Sequence, residues 1–142
     1  MHDPLAEALS ALPHGPEFRF LDELTRLEPG QAGIGRYRLR TDAPFLRGHF
    51  PGQPLMPGVL LIEAAAQLAG TVAQSDPRQP PLPGLKLAAV RNAKFLDAVR
   101  PGDELVIQAE ILGRIGRLIQ AAASASVGER LVLKVELTLS GD

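Results

Sequence analysis

Apolar residues fall into two rhythms along this chain. Between Val59 and Ala73 they run almost unbroken: Val59, Leu60, Leu61, Ile62, Leu68 and Val72 are joined by alanines at 64, 65, 66, 69 and 73. Glu63 and Gln67 are the charged and amide interruptions. Beyond residue 84 apolar and polar positions alternate. The first rhythm predicts a long helix from about Pro57 to Ala73, the second strands over about 85–96, 104–113, 117–127 and 130–140. Turns are expected at Pro101-Gly102-Asp103, from Gly113 to Gly116, and at Gly128-Glu129. A helix with no polar face has to be covered on every side. Val106, Ile107, Ile111, Leu118, Ile119, Val127, Leu131, Leu133, Val135, Leu137 and Leu139 are the strand residues expected to cover it.

The N-terminal third is less regular. Residues 3–11 predict a short helix with Asp3 as its N-cap and Pro4 in its first turn, ended by Pro13 and Gly15-Pro16. The stretch from Phe18 to Leu27 is compatible with a strand. A turn at Glu28 to Gln31 leads to a second strand, in which Ile34, Tyr37 and Leu39 alternate imperfectly with Arg36, Arg38 and Arg40. Residues 41–58 are rich in Pro and Gly, yet they carry Phe45, Leu46, Phe50, Leu55 and Met56. So apolar a segment is expected to be an ordered, stiff loop. Residues 74–84 read as a mobile surface loop, and Gly33-Ile34-Gly35 as a strand irregularity. Six strands with one long apolar helix after the second describe an antiparallel sheet curled around a central helix, the α+β arrangement called the hotdog fold. One curved sheet is too little cover for such a helix, so two subunits are expected to join sheet to sheet.

Composition narrows the function. At 142 residues, with no internal repeat or boundary, residues 1–142 read as a single domain. The formal net charge of −1 suggests neither nucleic acid nor an anionic membrane as partner. With no cysteine, disulfides, thiol catalysis and zinc–thiolate sites are excluded. No run reaches the ~20 apolar residues of a membrane span, and the start of the chain lacks the pattern of a signal peptide. A soluble, cytoplasmic protein is expected.

One segment stands apart. From His49 to Gly58 the chain reads H-x-x-x-x-P-x-x-P-G, and Glu63 follows five residues later. At background frequencies Pro54, Pro57 and Gly58 alone would coincide at a given position roughly twice in 10⁴. The segment resembles the active-site signature of the FabZ-type 3-hydroxyacyl-[acyl-carrier-protein] dehydratases, a hotdog family. Leu12-Pro13-His14 and Phe18 to Asp22 are similar to that family's L-P-H-R…P-F-L-L-V-D stretch. Asn92 to Phe95 and Val99 to Asp103 are similar to its N-A-R-F…V-x-P-G-D. The chain departs from the pattern at Gly15, over Leu87 to Arg91 and over Leu96 to Ala98, all away from the signature.

The resemblance implies elimination of water from a 3-hydroxyacyl thioester in fatty-acid or related acyl-chain biosynthesis. His49 would take the proton next to the carbonyl, and Glu63 would protonate the departing hydroxyl. The residue types suit those roles: an imidazole is a base near neutral pH, and a carboxyl on an apolar helix is disposed to hold its proton. Gly58 would be the backbone donor to the thioester oxygen at a helix N-terminus. Pro54 and Pro57 would stiffen the turn that positions His49. Gln67, one turn after Glu63, either orients it or satisfies only itself; His14 and His2 read as structural or exposed. Neither a metal nor a cofactor is expected beyond the phosphopantetheine carried by the substrate. An acyl carrier protein is the expected partner, with Arg91, Lys94 and Arg100 either receiving it or merely solvated. Similar enzymes draw the two catalytic residues from opposite subunits of a homodimer, and some assemble as trimers of dimers. The competing readings are a hotdog acyl thioesterase and a non-catalytic acyl-binding subunit.

Overall fold

The computed structural model of the chain describes residues 3–48 and 52–142. Helix α1 (Pro4–Ser10) starts as its sequence dictates: the Asp3 side chain accepts from the N–H groups of Leu5 and Ala6, and Pro4 sits where a missing N–H costs nothing. The strands are β1 (Glu23–Glu28), β2 (Ala32–Arg38), β3 (Lys86–Phe95), β4 (Glu104–Ile115), β5 (Leu118–Val127) and β6 (Arg130–Ser140). They form one antiparallel sheet in the order β1-β2-β4-β5-β6-β3. Helix α2 (Gly58–Gln74) lies against the inner face, beside β2, β4, β5 and β6. This is the hotdog arrangement that the alternation of rhythms implied.

The β4–β5 and β5–β6 hairpins close with two residues each, Ile115 pairing with Leu118 and Val127 with Arg130. Gly116 and Gly128 open these turns at positive φ, as the first central position of a type II′ turn requires. Between them the inner face is built largely of alanine. Ala109, Ala121, Ala123 and Ala125 are buried there, facing a helix whose own buried residues include Ala64, Ala65, Ala69 and Ala73. Small residues on both sides let α2 lie close. At β2 the approach is closest: a Cβ on Gly33 would stand 2.7 Å from Val72 Cγ2. Gly33 therefore makes room for the helix in a strand that keeps regular register with β4; the irregularity expected at Gly33-Ile34-Gly35 lies on the other side of the strand, where β1 takes an extra residue, Thr25, opposite Ile34 and Gly35.

Three expectations are corrected. The stretch from Phe18 to Asp22 is not strand: Pro16–Phe18 form a single 3-10 turn, and the Phe20 N–H donates to the side chain of Gln67 instead of to a neighbouring strand. Leu118 and Leu131 are exposed, although Ile119 and Leu133 are buried. Leu118 has the opposite parity to Ile119. Leu131 is turned out because β6 takes an extra residue, Val132, between its pairings with Ala125 and Ser126, so Val132 and Leu133 are both buried. Residues 75–85 are an anchored loop: the Gln74 side chain bonds Leu82, Arg114 donates to Pro80 O, and the Asp142 N–H donates to Pro83 O.

The sheet leaves part of α2 uncovered. Val59 is 71% exposed in its first turn, and all ten residues of β3, at the sheet edge, are exposed. Among the described residues no helix is long and apolar enough to cross a membrane.

Substituting Gly33→Ala should destabilise the fold by about 1–3 kcal/mol through overpacking against Val72. Adding Val72→Ala should make the double variant more stable than the summed single costs predict. Urea denaturation of the four proteins checks this; strict additivity would mean that the two residues do not meet.

Candidate active site

The approach to α2 is fixed before the helix begins. The Met56 N–H donates to Val99 O at 2.9 Å, and Pro57 is the N-cap, in extended geometry with φ −58° and ψ 138°. Pro57 thus stands just outside the first turn, one position earlier than its sequence suggested. Its carbonyl accepts from Leu60 and Leu61. Among the described residues no side chain caps this end. A Cβ on Gly58 would lie 2.8 Å from the ring of Phe95, which places that exposed aromatic over the helix start. Pro54 is exposed in the approach.

Glu63 follows in the second turn, with its side chain 22% exposed. Its Oε2 meets two partners: Gln67 Nε2 donates to it at 3.0 Å, and His14 Nε2 lies 3.2 Å away. Gln67 is buried, and its amide orientation is dictated by the chain around it. The Phe20 N–H can only donate, so the atom 2.8 Å from it is Oε1; Nε2 then donates to Phe18 O at 2.8 Å as well as to Glu63. Gln67 thus ties the N-terminal segment to α2 and donates to the Glu63 carboxylate as well.

His14, expected to be structural or exposed, lies beside Glu63 with its side chain 30% exposed. Arg19 holds its carbonyl at 3.3 Å together with that of Leu12 at 3.1 Å. Its ring stacks on Phe18, with centroids 6.3 Å apart. His14 Nε2 thus lies at ion-pair distance from the same carboxylate oxygen to which Gln67 donates, and among the described residues no hydrogen bond or ion pair reaches Oε1 of Glu63. The signal for it was present in Leu12-Pro13-His14, which matched the family stretch. Nothing local tied that stretch to a helix about fifty residues away.

A cavity of about 450 Å³ opens beside this cluster, a size suited to a small organic ligand. Glu63, Ala66, Gln67, Gly70 and Gln74 form its α2 wall, with His14 beside Glu63 and Leu82 beside Gln74 in its lining. The sequence candidates Glu63 and Gln67 are thus brought together with a cavity. Gly58 lies one and a half turns before Glu63, about 7.5 Å along the axis. His49 lies outside the described residues. Among the described residues no cluster of three or more His, Asp or Glu could hold a metal ion.

Residues 12–136 match the FabA-like domain family. Curated relatives of the chain carry the name 3-hydroxyacyl-[acyl-carrier-protein] dehydratase FabZ. That of Syntrophobacter fumaroxidans is 39% identical over 136 residues, covering 94% of this chain and 90% of the relative. That of Clostridioides difficile is 37% identical over 131 residues, covering 92% of each. Among solved structures, the dehydratase heterocomplex ApeI:P from Xenorhabdus doucetiae superposes with a TM-score of 0.80 at 17% identity, covering 97% of this chain and 91% of that one. At that identity the likeness speaks to the fold.

Replacing Gln67 with Leu keeps its approximate volume and removes its three bonds, leaving the Phe20 N–H and Phe18 O without their partner. The expected loss of stability is about 2–4 kcal/mol, since an unmet buried polar group costs roughly 1–3 kcal/mol. Equilibrium unfolding measures it, and a change below about 0.5 kcal/mol would mean the amide is not the tie described.

Proposed function

This chain belongs to the FabA-like domain family, and from that premise we propose that it is a 3-hydroxyacyl-[acyl-carrier-protein] dehydratase, a hydro-lyase of fatty-acid biosynthesis. The observation that carries the reading is Glu63: a half-buried carboxyl with one oxygen occupied by Gln67 and His14, at the end of a mainly apolar cavity. A carboxyl so braced has a defined acidic edge, its Oε1. That edge can protonate the substrate hydroxyl while Oε2 stays anchored.

The elimination balances without any further reagent. His49 takes the proton on the carbon next to the thioester carbonyl. The electrons of that C–H bond form the alkene as the C–O bond breaks, and Glu63 gives its proton to the leaving oxygen, which departs as water. One proton is taken and one given, with no net oxidation, so no cofactor is required; the phosphopantetheine arm arrives with the substrate. Negative charge grows on the thioester oxygen meanwhile, and the Gly58 N–H at the uncapped helix start is the donor proposed for it. Pro54 and Pro57 limit the motion of the turn between His49 and the helix.

The functional unit proposed is a homodimer formed along β3, with the possibility of further assembly as a trimer of dimers left to measurement. Two features support the dimer: an edge strand exposed along its whole length, with Val90 and Leu87 on it, and the uncovered Val59 at the helix start. An open, partly apolar edge favours pairing with another strand. His49 and Glu63 are proposed to come from opposite subunits. The carrier protein would dock by its acidic surface on Arg91, Lys94 and Arg100, and the cytoplasm is the location proposed.

Purified protein should hydrate an enoyl thioester, seen as loss of its ultraviolet absorbance. His49→Ala and Glu63→Gln should each lower kcat by at least about 10², the usual range for loss of a general acid or base. Mixing the two inactive variants under conditions that exchange subunits should restore part of the activity, because a mixed dimer holds one intact pair. Free-thiol release without hydration would point to a thioesterase instead, and binding without turnover to an acyl-binding subunit.

A further inference from the structure

The cavity that begins at Glu63 has a far end for which the elimination has no use. Glu63, Ala66, Gly70 and Gln74 line it from α2, at spacings of three and four residues that put them on one helix face. From Glu63 to Gln74 is about 16 Å along the helix axis. The middle of this floor is low. A Cβ on Gly70 would meet nothing nearer than Leu85 Cδ2 at 3.5 Å, so packing does not exclude a side chain there; its lack leaves the passage open.

Leu82 lines the cavity at its Gln74 end, and both of its backbone groups are bonded to one side chain. Gln74 Nε2 donates to Leu82 O at 2.7 Å, while Gln74 Oε1 accepts from Leu82 N at 2.9 Å. Both backbone groups of one residue are thus gripped by one planar amide, as a strand neighbour would grip them. Pro81 and Pro83 flank Leu82 and restrict the backbone on either side, so fixing this residue fixes the turn. Behind it stands Gly141, where a Cβ would come within 2.7 Å of Leu82 Cβ. Leu82 is therefore wedged between the C-terminal segment and the cavity.

We infer that Gln74 determines acyl-chain length: by clamping Leu82 across the end of the cavity, it limits how long a chain can lie between Glu63 and the loop. This rests on the dehydratase reading, which sets the reacting carbons beside Glu63 and sends the acyl tail over Ala66 and Gly70. A short chain ends before Leu82; a long one meets it. Gln74 touches no reacting atom and acts through Leu82, so it is a positioning residue. If the two bonds merely secured the loop, their loss would lower stability and reduce turnover of all chain lengths alike.

The test is hydration of crotonyl, octenoyl and dodecenoyl coenzyme A by the wild type, Gln74→Leu and Gln74→Glu. The Leu variant keeps the bulk and loses both bonds. The Glu variant keeps the acceptor for the Leu82 N–H and loses the donor, and it provides a second variant should the first not fold. The ratio of kcat/KM for dodecenoyl to that for crotonyl should rise about tenfold in Gln74→Leu, the lower range for a changed apolar fit, and by less in Gln74→Glu. An unchanged ratio in a folded, active variant overturns the clamp and leaves the dehydratase reading standing. A wild type inert toward all three chains, whether carried by coenzyme A or by acyl carrier protein, overturns that reading, and the clamp with it.

Discussion

The close seating of α2 against the inner face of the sheet governs the rest of the molecule. Alanines on the helix meet alanines on β4 and β5, and Gly33 yields the last space to Val72. Protein interiors are packed as densely as organic crystals, so a helix held by backbone-sized neighbours has little freedom to slide or turn. Every functional side chain on α2 inherits that precision. Glu63 is placed by the packing of Leu61, Ala64, Ala65 and Leu68 around it, all buried, more than by any loop.

Gln67 carries this order from the core to the chemistry. An amide on an apolar helix would be a liability if its donors and acceptor went unmet. Here they are met by the backbone at Phe18 and Phe20 and by Glu63. The N-terminal segment, which is too irregular to join the sheet, is docked onto the helix by these bonds. Docking also brings His14 within 3.2 Å of the same carboxylate oxygen.

The same helix serves two ends of one cavity. Near its start stand the exposed Val59 and the ring of Phe95 over Gly58, beside the open edge of β3 where a second copy is proposed to pair. At its other end Gln74 holds Leu82 in place. Glu63, the acid proposed, and Gln74, the residue inferred to limit chain length, are thus about 16 Å apart along one helix.

By itself the sequence determined what is local. Periodicity gave the helix and the strands, Asp3 and Pro4 gave the first cap, Gly128 the last turn, and the run from His49 to Glu63 the family and its reaction. These follow from short-range rules: a 3.6-residue or 2-residue repeat, a cap, a positive φ, a fixed spacing. Tertiary structure decided whatever joins residues far apart in the chain. It set β3 beside β6 at the sheet edge and turned Leu131 outward through the extra residue at Val132. It gave Gly33 its purpose and brought His14 to Glu63. It also made an anchored wall of the loop that composition read as mobile. A hydrogen bond from Gln67 to Phe20, or from Gln74 to Leu82, leaves no mark in local pattern, because its partners are selected by packing and only the folded chain brings them within reach.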